Sequence, residues 1–265
     1  MEWSLEKMKK TILHFESVSK NFGGLAALSD VSLSVTEGDV ISLIGPNGAG
    51  KTTLLNIATN LLPLSSGKVF FEDERIDPLP PYRIPGRGIA RTFQILKLPL
   101  KLSVLENVAI GAHSRSESGV FPIILRLPRM RAEEMQIMEK AKEAIRFVGI
   151  DDHMNTITGH LPLGTQRLVE MARALMCEPK LLFLDEVTTG LNFHEKQKVV
   201  SVLQKIREQG TTIFIVAHDM SFVMELSSRI YVLNFGKKIA EGSPEEIRKN
   251  REVIDVYLGR TETNS

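Results

Sequence analysis

The 265-residue chain has a single cysteine, Cys177. An internal disulfide is therefore impossible, and a lone thiol fits a reducing compartment. Net charge is almost absent, at +1 from 33 Lys and Arg against 32 Asp and Glu. That balance removes bulk electrostatic attraction as a reason to bind nucleic acid or an acidic membrane surface. No run approaches the ~18–20 apolar residues that a membrane-spanning helix needs, so a place at a membrane would depend on a partner. The stretch Met1 to Lys10 is charged and lacks the apolar run of a signal peptide. Internal repeats and low-complexity linkers are missing too. What is left is an ordinary globular composition, 43% hydrophobic and 25% charged. The length suits one large α/β unit carrying an insertion, with core enough to fold without cross-links.

Val31, Leu33 and Val35 alternate with Ser32, Ser34 and Thr36, the pattern of a strand wet on one face. Val40 to Ile44, Leu181 to Leu184 and Ile213 to Ala217 are instead apolar runs, broken only by Ser42. Short apolar strands separated by long helical stretches are what a parallel sheet covered on both faces requires. A helix is expected from Lys51 to Leu62, with Leu54, Ile57, Ala58 and Leu61 on one side and Pro63 ending it. The segment from about Ile95 to Leu161 has no comparable strand and reads as a mostly helical insertion. Within it, Pro99 to Arg131 suggests short helices with exposed loops. Ala132 to Val148 suggests one helix, whose stripe of Met135, Met138, Ala141, Ile145 and Val148 reads as core. Ser243-Pro244-Glu245-Glu246 is a capping box with proline at the first helical position. A last short helix is expected over Val253 to Leu258, stopping at Gly259, with a loose polar end from Arg260 to Ser265.

The segment Gly45-Pro46-Asn47-Gly48-Ala49-Gly50-Lys51-Thr52, followed by Thr53, matches G-x-x-x-x-G-K-[ST] between a buried strand and an amphipathic helix. Glycines allow a tight loop whose N–H groups face an anion, and the helix adds partial positive charge. Lys51 would reach the β- and γ-phosphates, and the Thr52 hydroxyl would ligate Mg²⁺. Leu181 to Leu184 runs into Asp185 and Glu186, two carboxylates at the C-terminal edge of a strand, where α/β sheets bind ligands. Asp185 fits the metal, and Glu186 the attacking water as general base. His218 follows the next apolar strand and is placed to sense the γ-phosphate and align the water. Gln94, before the insertion, is a further contact for Mg²⁺ and water, although a lone Gln signals almost nothing.

Together these residues resemble the ATP-binding cassette family over nearly the whole chain. Gly45 to Thr53 looks like its Walker A motif and Leu181 to Glu186 like its Walker B motif. Gln94 stands at the Q-loop position, and His218 at the switch histidine. Phe22 matches the aromatic on which adenine stacks; without the resemblance it reads equally well as a buried strand residue. The family's L-S-G-G-Q signature falls on Leu161-Pro162-Leu163-Gly164-Thr165. Pro162 replaces the serine, Leu163 the first glycine and Thr165 the glutamine; of the inner set Gly164 remains. Asn192 stands where an aspartate usually ends the next loop.

The resemblance implies an α/β P-loop fold: a parallel sheet, an N-terminal antiparallel β subdomain and an inserted helical subdomain. The ATP-binding core would span 11–94 and 166–240, the insertion with its signature 95–165, and the C-terminal helices and tail 241–265. It implies ATP and Mg²⁺ as ligands. Catalytic roles fall to Lys51, Gln94, Glu186 and His218, and metal contacts to Thr52, Gln94 and Asp185. Nucleotide contacts fall to Phe22, Gly45 to Thr53, Gly164 and Thr165. Implied partners are a second cassette, integral membrane permeases and, indirectly, an external substrate-binding protein, at the cytoplasmic face of the cell membrane, with no nucleic acid. The likeness is strongest to the ATPase subunits of branched-chain amino-acid importers, on segments such as Arg91-Thr92-Phe93-Gln94, Thr189-Gly190-Leu191-Asn192 and Val253 to Gly259. Importers of urea or short-chain amides, lipid or lipopolysaccharide exporters, and cassette proteins acting on nucleic acid or the ribosome remain alternatives.

Overall fold

The computed structural model describes residues 10–115 and 128–258. Two sheets organise it. Strands β1 (Thr11–Phe22), β2 (Leu25–Thr36), β4 (Ser66–Phe71) and β5 (Glu74–Arg75) form an antiparallel sheet in the order β2-β1-β4-β5. The second sheet has the order β10-β9-β3-β8-β7-β6. It comprises β3 (Val40–Ile44), β6 (Ile89–Arg91), β7 (Leu181–Asp185), β8 (Thr212–Val216), β9 (Arg229–Asn234) and β10 (Lys237–Gly242). All its pairings are parallel except β9 with β10.

The apolar runs follow from burial on both faces of this second sheet. Ile44, Leu182, Leu184, Ile213, Ile215, Ile230 and Val232 face one core. Ile41, Leu43, Leu181, Phe183, Phe214, Val216, Tyr231 and Leu233 face the other. Helices α4 (Leu163–Leu175), α5 (Phe193–Glu208) and α6 (Met220–Leu226) cover the first face. Helix α1 (Lys51–Ala58) and the antiparallel sheet cover the second. The alternation at 31–36 has its expected cause, because Val31, Leu33 and Val35 point into that second core. Tyr231 joins the sheets by donating its hydroxyl to the Ser34 carbonyl at 2.7 Å.

Several elements differ from the sequence expectation. Helix α1 stops at Ala58, not Leu62. Asn60 adopts a left-handed φ of 54°, and its amide donates to the carbonyls of Ile76 (2.6 Å) and Leu79 (2.8 Å). These bonds outweigh one more helical turn, so Leu61 is exposed rather than on the apolar side. Strand β6, beside β7, had no sequence signal: three residues show no period.

The insertion contains α2 (Val104–Ala109), capped reciprocally by Ser103 and Glu106, and α3 (Pro128–Val148). Ala141, Ile145 and Val148 enter the core, but the stripe does not continue to Met135, which is 64% exposed. Residues 116–127 of the expected loop region, Gly259 and the polar end lie outside the described residues. The Ser243 capping box forms as expected and starts α7 (Pro244–Lys249). The last helix, α8 (Arg251–Leu258), begins two residues before Val253.

Candidate active site

The loop between β3 and α1 needs its glycines. Gly45 has φ 151°, and a Cβ there would run into the Leu233 carbonyl oxygen. Gly50 has φ 102°, and a Cβ would lie 2.7 Å from the Ala27 oxygen. Lys51 turns back into the loop, its Nζ donating to the carbonyls of Gly45 (2.7 Å) and Pro46 (2.9 Å). Burial lowers its pKa, and the charges of Glu186 and Asp185 partly restore it. The lysine is thus held at the mouth of a helix N-terminus, a cradle for a polyphosphate.

Strand β7 delivers the two carboxylates into different environments. Asp185 is buried, with Oδ2 paired to Arg91 Nη2 at 2.8 Å. Burial raises its pKa, opposed by the hydrogen bond and charge of Arg91. Its other oxygen, Oδ1, is buried without a partner, an orphaned anionic acceptor that fits Mg²⁺ or its water shell. Glu186 has a left-handed φ of 49°, tied by its N–H to the Val216 carbonyl at 2.8 Å. Such a conformation is costly for a non-glycine residue and concentrates at functional sites. It turns the carboxylate out of the strand line: Oε2 accepts from Gln94 Nε2 at 2.9 Å, and Oε1 lies 3.8 Å from His218 Nδ1. Gln94, Glu186 and His218 come from three separate segments and meet at one point.

Gln94 and Glu186 border a cleft of about 380 Å³ that is also lined by Leu25 to Ala27, Asn47 to Thr53 and Phe235. Phe22 stands beside it, paired with Leu25 across the β1–β2 hairpin. It is 47% exposed, with Lys20 Nζ 5.1 Å above its ring, so the buried-strand reading fails. Phe235, which the sequence did not single out, is 82% exposed at a left-handed φ of 43°. A large aromatic preceding Gly236 at a hairpin was the available signal. Arg91 was also passed over individually, although its burial beside Asp185 makes it the main partner of that carboxylate.

Gly164 and Thr165 are not brought to this cleft. Pro162 is the N-cap of α4 and gives no side-chain cap. The Gly164 N–H donates instead to Glu195 Oε1 at 3.2 Å. Glu195 Oε2 accepts from Asn192 N–H, and Asn192 Oδ1 accepts from Glu195 N–H, each at 3.0 Å. Asn192 is thereby the N-cap of α5. The α4 helix runs continuously from Leu163 through the boundary expected after residue 165. Further along it, Glu170 is buried against Arg167; burial raises the Glu170 pKa, opposed by the Phe93 N–H and Arg167.

The chain matches the family described as "ABC transporter" over residues 28–189. Over residues 237–263 it matches a second, described as "Branched-chain amino acid ATP-binding cassette transporter". The high-affinity branched-chain amino acid transport ATP-binding protein LivG of Salmonella typhimurium is 37% identical over 253 residues, covering 95% of this chain and 99% of that protein. The ADP conformation of MJ1267, an ATP-binding cassette of an ABC transporter, superposes with TM-score 0.82 at 32% identity, covering 94% of this chain and 99% of that one. The dimeric structure of MJ0796, a bacterial ABC transporter cassette, gives TM-score 0.75 at 26% identity over 88% and 99%. The chain therefore belongs to the ABC transporter family, as one of its ATP-hydrolysing cassettes.

Proposed function

We propose that this chain is the ATPase of an importer for branched-chain amino acids, acting as one of two cassettes beneath separate integral membrane subunits. The observation that carries the reading is the split of the site. Gln94, Glu186 and His218 converge beside the phosphate loop, whereas the signature residue Gly164 lies outside that cleft. A second cassette would supply the missing half, and the MJ0796 cassette is a relative whose structure is dimeric. Substrate class rests on the likeness to LivG and on the C-terminal segment 237–263. Among the described residues no helix is long and apolar enough to cross a membrane, in keeping with a subunit held at the cytoplasmic face by its partners. An apolar groove of about 280 Å³ beside the Gln94 loop, lined by Leu61, Ile84, Phe93 and Ile110 among others, suits a helix of such a membrane subunit.

In the proposed chemistry ATP lies along Gly45 to Thr53, its adenine against Phe22, and its charge is met by loop N–H groups and by Lys51. Thr52, Asp185 and Gln94 would hold Mg²⁺, which when bound neutralises phosphate charge. Glu186 accepts a proton from the attacking water as the water approaches the γ-phosphorus. Gln94 and His218 fix the carboxylate's aim and the line of attack. Phosphate takes the new oxygen, and ADP leaves with the bridging oxygen. ATP stabilises the closed pair of cassettes and its products do not, which drives the membrane subunits between two states.

Purifying the full chain from membranes with its partners, then reconstituting the complex in vesicles, tests the proposal. ATP-dependent uptake of leucine, isoleucine or valine supports it. Uptake of urea or a short-chain amide alone would reject the substrate class, and a soluble nucleic-acid or ribosomal partner would reject transport.

A further inference from the structure

Gln94 is not aimed by its own loop. Two residues of α4 hold the peptide units on either side of it. Arg167 Nη1 donates to the Phe93 carbonyl at 2.7 Å, and Nη2 donates to the Gln94 carbonyl at 2.6 Å. Glu170 Oε1 accepts from the Phe93 N–H at 3.0 Å. The two side chains are joined by Arg167 Nη1 to Glu170 Oε2 at 3.1 Å, and are only 4% and 1% exposed. A planar guanidinium fork on two successive carbonyls fixes the peptide planes on either side of Gln94, and the carboxylate on the Phe93 N–H fixes the plane before them. The Phe93 ring is held as well, with Lys97 Nζ 4.4 Å and Arg91 Cζ 5.1 Å from its centre. From this anchored backbone the Gln94 side chain reaches Glu186 at 2.9 Å.

A buried ion pair is a poor device for stability alone, because desolvation offsets much of its attraction. What this pair supplies is direction. We infer that Arg167 and Glu170 are positioning residues for ATP hydrolysis: they set Gln94 against Glu186 and make its aim a property of the signature helix. The inference deepens the proposed function and rests on its assignment of the attacking water to Glu186. No bond of the substrate is made or broken by the pair; it acts only through Gln94.

The test is a double-mutant cycle on ATP hydrolysis by the full-length chain. Replacing both partners together, Arg167→Met with Glu170→Leu, leaves no orphaned charge. With Gln94 present, kcat should fall about 10–100-fold while KM for ATP changes by less than about threefold. In a Gln94→Ala background the same replacement should cause no further loss. Equal losses in both backgrounds, or no loss with Gln94 present, would overturn the inference. Should the double variant not fold, Arg167→Lys decides, because it keeps the charge but loses the fork. It should lower kcat by a smaller factor, again only when Gln94 is present, and a loss independent of Gln94 counts against the pair. Glu186→Gln is measured in parallel. Near-normal turnover there rejects the water assignment itself, whatever the cycle gives.

Discussion

Two helix N-termini in this molecule carry the same backbone dipole, yet they are built in opposite ways. At the start of α1, glycine geometry opens the loop and a buried lysine stands in it. The cradle is complete within one stretch of chain. At the start of α4, proline offers neither an N–H nor a side-chain cap, and Glu195 already accepts the Gly164 amide. The dipole alone does not make an anion site. One terminus offers positive charge and free geometry to a phosphate; the other meets it carrying a carboxylate of its own. In the proposed pairing, the half-site this chain would lend to a partner would be the weaker of the two.

The largest expected effect is at the base. Glu186→Gln leaves the phosphate cradle intact, so ATP binding should persist while hydrolysis falls by about 10²–10⁴. Paired binding and turnover measurements check this, and near-normal turnover would remove Glu186 from its role.

The next effect concerns the loop backbone. Gly45→Ala drives a Cβ into the Leu233 carbonyl, whereas Gly48 faces open space. The first should destabilise by about 1–3 kcal/mol and weaken ATP binding. Gly48→Ala should cost only the strain of a left-handed alanine, about 1 kcal/mol. Denaturant unfolding of the two variants would show equal losses if packing against β9 is irrelevant.

At the signature end the expected changes are smaller and of opposite sign. Glu195→Gln removes the charge facing the Gly164 amide and should strengthen ATP-dependent pairing of cassettes by about 0.3–1 kcal/mol. Pro162→Ser supplies a cap and a hydroxyl, and should raise turnover of the assembled complex. Weaker pairing after the first change, or unaltered turnover after the second, would erase the contrast between the two termini.

A last effect, confined to acid pH, concerns Asp219 beside His218. Burial works against ionised Asp219, but hydrogen bonds from Lys196, Ser221 and the Phe222 N–H prevail and lower its pKa to about 2. A depressed carboxylate stabilises the fold above its unfolded pKa of ~3.9, and that contribution disappears as pH falls toward 2. Asp219→Asn should flatten this part of the stability–pH curve; an unchanged curve would show that the bonds contribute nothing.

Much of the fold was legible because burial leaves a period in the chain. The runs at 40–44, 181–184 and 213–217 are apolar apart from Ser42 since both faces are covered, and Val31 to Thr36 alternates since one is. The phosphate loop was legible for the same local reason: its glycines, lysine and threonine are consecutive. Strand β6 was not, being too short for a period. The end of α1 was misread because Pro63 is a visible stop, whereas the Asn60 contacts that act first lie with Ile76 and Leu79. Met135 was misread because a helical stripe records which residues share a face, not how far the neighbouring core extends.

The parallel sheet, the phosphate cradle and the pair of carboxylates at a strand end are each written in neighbouring residues. Long-range packing alone brings Gln94 and His218 to Glu186, sets Arg91 on one oxygen of Asp185 while leaving the other bare, and places Glu195 over Gly164. The reason is physical. Burial imposes a repeating constraint along the chain, whereas a hydrogen bond between distant side chains depends on how strand and helix ends pack, and leaves no local pattern to read.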